Sequence, residues 1–97
     1  VDTLTQNENS QQTGSSSAFP SVIAYVTDWC SDSIRTMRFF ALHDIPYTKI
    51  NIDEDEEGEE LVLRVNSGMR SVPTLLINDQ YVTEPSNRQL REIFDIS

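Results

Sequence analysis

The chain has one cysteine, three glycines and no apolar stretch near the roughly 18 residues needed to span a membrane. A lone thiol excludes an internal disulfide and is too little for a cysteine-based zinc site. The fold is therefore expected to rest on packing alone in a reducing compartment, with the cytoplasm as the default. Three scattered glycines exclude a familiar Gly-rich phosphate loop. Positive charge is also scarce: seven Lys and Arg face sixteen Asp and Glu, for a formal net charge of −9. That balance works against nucleic acid or an anionic membrane as partner and suits a partner with a basic docking face. No metal is expected. His43 is the only histidine, and the acids from Asp53 to Glu60 do not match the glycine and acid positions of a calcium loop.

What is present is enough for one modest core: 97 residues at 37% hydrophobic content make a second independent domain hard to stabilise. Residues 1–18 are rich in Gln, Asn, Ser and Thr and are expected to be disordered, leaving a single domain over 19–97. Val22-Ile23-Ala24-Tyr25-Val26 reads as a buried strand. From Ser31 to His43 the period changes to that of a helix, with Ile34, Met37 and Ala41, and Phe40 beside them, as its apolar stripe and Arg35 and Arg38 facing water. Tyr47 to Ile52 alternates as a strand begun by Pro46. Asp53 or Asp55 caps a second helix running to about Asn66, with Leu61, Val62 and Val65 inward. Asn66-Ser67-Gly68 ends it. Thr74–Ile77 and Tyr81-Val82 are short strands joined by Asn78-Asp79-Gln80. A final helix capped by Ser86 or Asn87 turns Leu90, Ile93 and Phe94 inward. The order strand-helix-strand-helix-strand-strand-helix predicts an α/β fold, a small mixed sheet with helices on both faces.

The chemistry concentrates at Cys30, between the first strand and the first helix. Unpaired backbone donors and the positive helix end favour a thiolate there, and a Ser33 hydroxyl on the same turn would add a hydrogen bond. Asp28 and Asp32 oppose it, so the direction of the shift stays open. Ser33 stands where a dithiol centre would carry its resolving cysteine and cannot close a disulfide, so any redox chemistry is monothiol chemistry. Two explanations of Ser33 stand side by side: a natural serine, or an engineered cysteine replacement made to trap a mixed disulfide. Trp29 reads either as a core anchor or as a rim for an incoming disulfide. Further on, Arg70-Ser71-Val72-Pro73-Thr74 places a proline directly before an apolar strand. If Pro73 were cis and beside Cys30, the Val72 backbone would offer a donor and an acceptor to an extended substrate, with Arg70 as a carboxylate clamp or a solubilising surface charge.

Trp29-Cys30 at a helix start, Asn51-Ile52-Asp53 at a strand end, Asn66 to Thr74, and Thr83-Glu84-Pro85-Ser86 together resemble the glutaredoxins of the thioredoxin superfamily. In motif they are most similar to the bacterial glutaredoxin-like, or mycoredoxin, branch, from about Val22 onward. The resemblance implies a thioredoxin fold with a four-stranded mixed sheet, a nucleophilic cysteine at Cys30, a cis proline at Pro73 and a backbone contact at Val72. Ser31-Asp32-Ser33 lacks both the proline-tyrosine-cysteine of dithiol members and the glycine-phenylalanine-serine of the cluster-sharing monothiol class. Thr83-Glu84-Pro85-Ser86-Asn87 stands in place of the glycine-glycine-x-aspartate element that holds glutathione.

What the resemblance implies is a thiol-disulfide oxidoreductase, expected as a monomer, with glutathione or mycothiol as co-substrate and disulfide-bearing proteins as targets. Cys30 would be the nucleophile, Ser33 its stabiliser, Val72 and Pro73 the aligning loop and Arg70 the clamp, with Trp29 at the rim and Ser86 and Asn87 at the substrate's far end. The competing reading is a non-catalytic module of the same fold that docks a protein through Trp29, Val72 and Pro73. A dimeric iron-sulfur carrier is a third, disfavoured by the loop after Cys30.

Overall fold

A computed structural model of the chain describes residues 20–96, so the segment expected to be disordered lies outside the described residues. Among the described residues four strands and three helices follow in the expected order. They are β1 (Val22–Val26), α1 (Ser31–Leu42), β2 (Thr48–Asn51), α2 (Glu56–Val65), β3 (Thr74–Ile77), β4 (Gln80–Thr83) and α3 (Asn87–Ile93). The sheet order is β2-β1-β3-β4. β1 pairs in parallel with β2 and antiparallel with β3, and β3 pairs antiparallel with β4. This is the mixed four-stranded sheet of a thioredoxin-like fold.

Strand side chains alternate between faces, and the central strands separate two cores accordingly. Val22, Ala24 and Val26 of β1, with Leu75 and Ile77 of β3, pack under Phe39 and Phe40 of α1 and Leu90 and Phe94 at α3. Tyr25 of β1 joins Ile52, Val62 and Val72 on the other face, beneath α2. Phe40 is fully buried and meets Tyr47 and Phe94 at ring-centroid distances of 4.9 and 5.9 Å.

Local signals set the helix ends. Asp55 caps α2 by accepting from the Gly58 N–H at 2.8 Å, while Ser86 and Gln89 form a reciprocal capping box at the start of α3. After α2, Gly68 takes φ 88° and its N–H returns to the Leu63 carbonyl at 2.7 Å, closing the helix end.

Three expectations are corrected. The buried face of α1 is Ser33, Thr36, Phe39 and Phe40, whereas Ile34 and Met37 are half-buried and Ala41 and Leu42 are exposed. Two adjacent phenylalanines carry more apolar area than the Ile-Met-Ala stripe and set the rotation of the helix. Ser33 and Thr36, seven and four residues before Phe40, are carried inward with it. Gln80 belongs to β4, paired with Ile77, so only Asn78 and Asp79 make the turn, with Asn78 at φ 46°. Ile93 is 37% exposed, because Leu90 and Phe94, four apart, take the inward side of the short last helix.

Gly58 marks a close approach of α2 to the sheet. A Cβ built there would lie 2.9 Å from Ile50 Cγ2 on a stiff β-branched side chain. Alanine would gain about 1 kcal/mol in helix propensity but incur an overpacking cost of about 1–3 kcal/mol. Gly58→Ala is therefore expected to lower stability by about 1 kcal/mol in urea denaturation, against the usual sign for a helical glycine. An increase in stability would show that α2 lifts off Ile50 freely.

Candidate active site

The thiol is positioned by a register. β1 and β3 run antiparallel with Tyr25 opposite Thr74, so the chain leaving β1 and the chain entering β3 meet at one end of the sheet. Cys30 is the N-cap residue of α1 in an extended conformation (φ −82°, ψ 127°), and its carbonyl accepts from the Ile34 N–H at 3.0 Å. Its side chain makes no capping hydrogen bond. The half-buried Sγ faces the Val72 carbonyl at 3.9 Å, and the Val72–Pro73 peptide is cis. Among the described residues no hydrogen bond engages the Val72 N–H.

Ser33 is fully buried beneath the thiol loop, where its hydroxyl oxygen accepts from the Thr27 N–H at 3.4 Å. No hydrogen bond joins it to Cys30 among the described residues. Around it lie Thr27 and Thr36, also fully buried, whose hydroxyl oxygens have no partner. The floor of the site is thus polar and under-satisfied, an arrangement that costs stability.

Trp29 is no core anchor: it stands 67% exposed, with its indole N–H donating to Asp53 Oδ2 at 2.7 Å. Arg70 is not a free cation. It donates through Nε to Glu59 at 2.7 Å and through Nη2 to Asp53 Oδ1. Lys49 donates to Asp28 at 2.7 Å, and Arg35 lies 3.6 Å from Asp32. Ser86 and Asn87 line a separate polar cleft of about 440 Å³ with Asp32, Arg35, Glu84 and Gln89. There the Ser86 side chain is occupied in capping, and Asn87 Oδ1 accepts from Arg35 at 2.7 Å. Arg35 also donates to the Pro85 carbonyl at 3.0 Å, so the expectation that it faces water is corrected. The site residues therefore fall into two groups: Trp29, Cys30, Arg70, Val72 and Pro73 around the thiol, and Ser86 with Asn87 across the first turns of α1.

Two participants were not singled out from sequence as site residues. Asp53 appeared as an acidic strand end and a possible helix cap, and Arg35 as a surface charge; the partners that tie them to the site, Arg70 and Trp29 for Asp53 and Pro85 and Asn87 for Arg35, lie 17 to 52 residues away. The short spacing of Asp53 from β2 was the one available signal.

A thiol at a helix start, set against a cis-proline loop at one end of this mixed sheet, defines a thiol protein of thioredoxin-like fold. The comparisons agree. The sequence profile of the family described as Glutaredoxin matches residues 22–82. Mycoredoxin 1 of Corynebacterium glutamicum is 38% identical over 65 residues, covering 66% of this chain and 80% of its own length. The crystal structure of a glutaredoxin from Archaeoglobus fulgidus superposes with a TM-score of 0.62 at 28% identity, over 76% of this chain and 85% of that one. A mutant thioredoxin-like protein reaches 0.70 at 17% identity over 79% and 97% of the two chains, a likeness of fold alone. The chain belongs to the glutaredoxin family, and that membership supports a thiol-disulfide oxidoreductase role with a small thiol as co-substrate. No helix among the described residues is long and apolar enough to cross a membrane.

The Asp53 carboxyl is held below its ordinary value of 3.8, first by the Arg70 hydrogen bond and then by that of Trp29. Arg70 is in turn raised, first by Glu59 and then by Asp53. A carboxylate favoured in its ionised form contributes stability that is full above the ordinary value and is lost as pH falls through the lowered one. Asp53→Asn is expected to flatten the decline of the urea midpoint on acidification below about pH 4. An acid limb identical to that of the parent would mean that the folded and unfolded carboxyls titrate alike.

Proposed function

We propose that the protein reduces mixed disulfides between a target protein and a small thiol by a monothiol mechanism through Cys30. The observation that carries this reading is the position of the single thiol, 3.9 Å from the carbonyl of a residue whose N–H is unengaged, with a serine buried at the resolving position. The Cys30 thiolate attacks the small-thiol sulfur, the inter-sulfur bond breaks, and the target cysteine leaves as a thiolate that takes up a proton. A second small thiol, as its thiolate, attacks the small-thiol sulfur of the adduct, forming a symmetric small disulfide and releasing Cys30. One disulfide is exchanged for another: the target cysteine is reduced to its thiol, and the second small thiol, the one newly oxidised, ends in the symmetric disulfide with the first. Val72 aligns the substrate by backbone pairing.

The choice of small thiol follows from charge. Arg35, Lys49 and Arg70 each already face a carboxylate of this chain. Glutathione carries two carboxylates that need cationic partners. Mycothiol, whose cysteine carboxyl is tied up as an amide, needs none, and the site favours it. Ser33 acts from below, anchoring Thr27, and Ser86 and Asn87 stand beside the far end of the bound thiol.

Reduced protein incubated with glutathione disulfide or with a mycothiol mixed disulfide and followed by intact mass spectrometry tests this. The mycothiol adduct on Cys30 is expected to form faster. It should persist after free thiol is removed, reverse when thiol is returned, and be absent in Cys30→Ser. In Ser33→Cys it should decay without added thiol. Labelling by neither compound would leave the non-catalytic docking module as the better account.

A further inference from the structure

The two loops that make the site run well beyond the paired strands that position them. Cys30 lies five residues past Tyr25, and Arg70 four before Thr74, the last pair in register. The roots of both loops are packed, with Val72 in the core beside Tyr25, Ile52 and Val62 and Cys30 against that cluster, but their outer parts are not. Trp29 beside the thiol is 67% exposed, and Met69 beside Arg70 is 64% exposed. The polar contact between nucleophile and aligning residue is the long Sγ to carbonyl approach of 3.9 Å.

A third loop links the exposed outer parts of these two. Asp53, just beyond β2, uses both carboxylate oxygens: Oδ2 accepts from Trp29 at 2.7 Å, and Oδ1 accepts from Arg70. Its own N–H donates to Asn51 Oδ1 at 3.0 Å, and Asn51 Nδ2 donates to Asp28 Oδ2 at 3.1 Å, so the loop carrying Asp53 is pinned to the end of β2. Glu59 on α2 holds the other edge of the Arg70 guanidinium at 2.7 Å. An isolated exposed ion pair contributes little to stability. A planar guanidinium held between two carboxylates has a set orientation, however, and an indole with one polar handle takes its direction from that bond.

We propose that Asp53 is a positioning residue for the thiol chemistry: its carboxylate yokes the Cys30 loop, through Trp29, to the Val72 loop, through Arg70, and keeps nucleophile and aligning backbone in register for an extended disulfide substrate. This role rests on the exchange reaction proposed above. Arg70 is accordingly part of the scaffold of the site and does not clamp the substrate.

The test compares two reactions of Cys30: exchange with a peptide mixed disulfide, which needs Val72, and alkylation by iodoacetamide, which needs only the thiol. Asp53→Ala is expected to lower kcat/KM for the peptide by about tenfold or more while alkylation changes by less than about twofold. The emission of Trp29, the only tryptophan, should shift as the indole loses its acceptor. Arg70→Gln leaves the Trp29 bond in place and should reproduce the selective loss without that shift. It carries the test if Asp53→Ala does not fold. Unchanged peptide exchange, or peptide exchange and alkylation falling in parallel, would overturn the yoke. If the parent protein alkylates normally but exchanges with no peptide, the exchange reading fails. The yoke is then decided by Trp29 emission in Asp53→Ala, which supports it if shifted and sinks it if unchanged.

Discussion

The antiparallel register of β1 against β3 is the constraint on which the site depends. With Tyr25 opposite Thr74, the residues after one strand and before the other emerge at the same end of the sheet. A slip by one residue would exchange the two faces of β3. Leu75 and Ile77 would leave the core shared with Phe40 and Leu90, and Val72 would no longer face Cys30. The apolar pattern that builds the core therefore also holds the chemistry in place, and the register cannot drift without unfolding the sheet.

Much of this was legible because it is encoded locally. Val22–Val26 announces a buried strand, Asp55 and Ser86 announce helix starts, and the proline before Thr74 announces the entry to β3. The motif pattern around Cys30 and Pro73 pointed to the family and, through it, to the fold. What was not legible depends on distant partners. The rotation of α1 follows from a competition between Phe39-Phe40 and Ile34-Met37-Ala41 that only the packed sheet decides. The partners of Arg35 and Arg70 are reached only in the folded chain. Charged residues in particular resist reading from sequence, since an arginine on a surface and an arginine locked between two carboxylates have the same spelling.

The acidic character of the chain acquires a local meaning in this setting. Asp28, Asp32, Asp53 and Glu59 are partners for Lys49, Arg35 and Arg70 as well as surface charge. Four carboxylates on three cations leave the surroundings of the thiol polar, with each of these three cations already engaged. The remaining acids at the start of α2 sit where the helix dipole favours them. The proposed selectivity among small thiols and the proposed orientation of the loops draw on the same few carboxylates.

The helix that carries Cys30 is also the one that begins without a side-chain cap, whereas α2 and α3 are closed by Asp55 and Ser86. A cap is ordinarily worth about 1 kcal/mol, so the first turn of α1 is held less firmly than its counterparts. An incoming group that brings an acceptor to those amides would supply the missing bond. Occupancy and local order are then linked quantities: the bound form would fray less at Ser31 and Asp32 than the free form, and the same bonds that hold a ligand would lower the free energy of the helix beneath it.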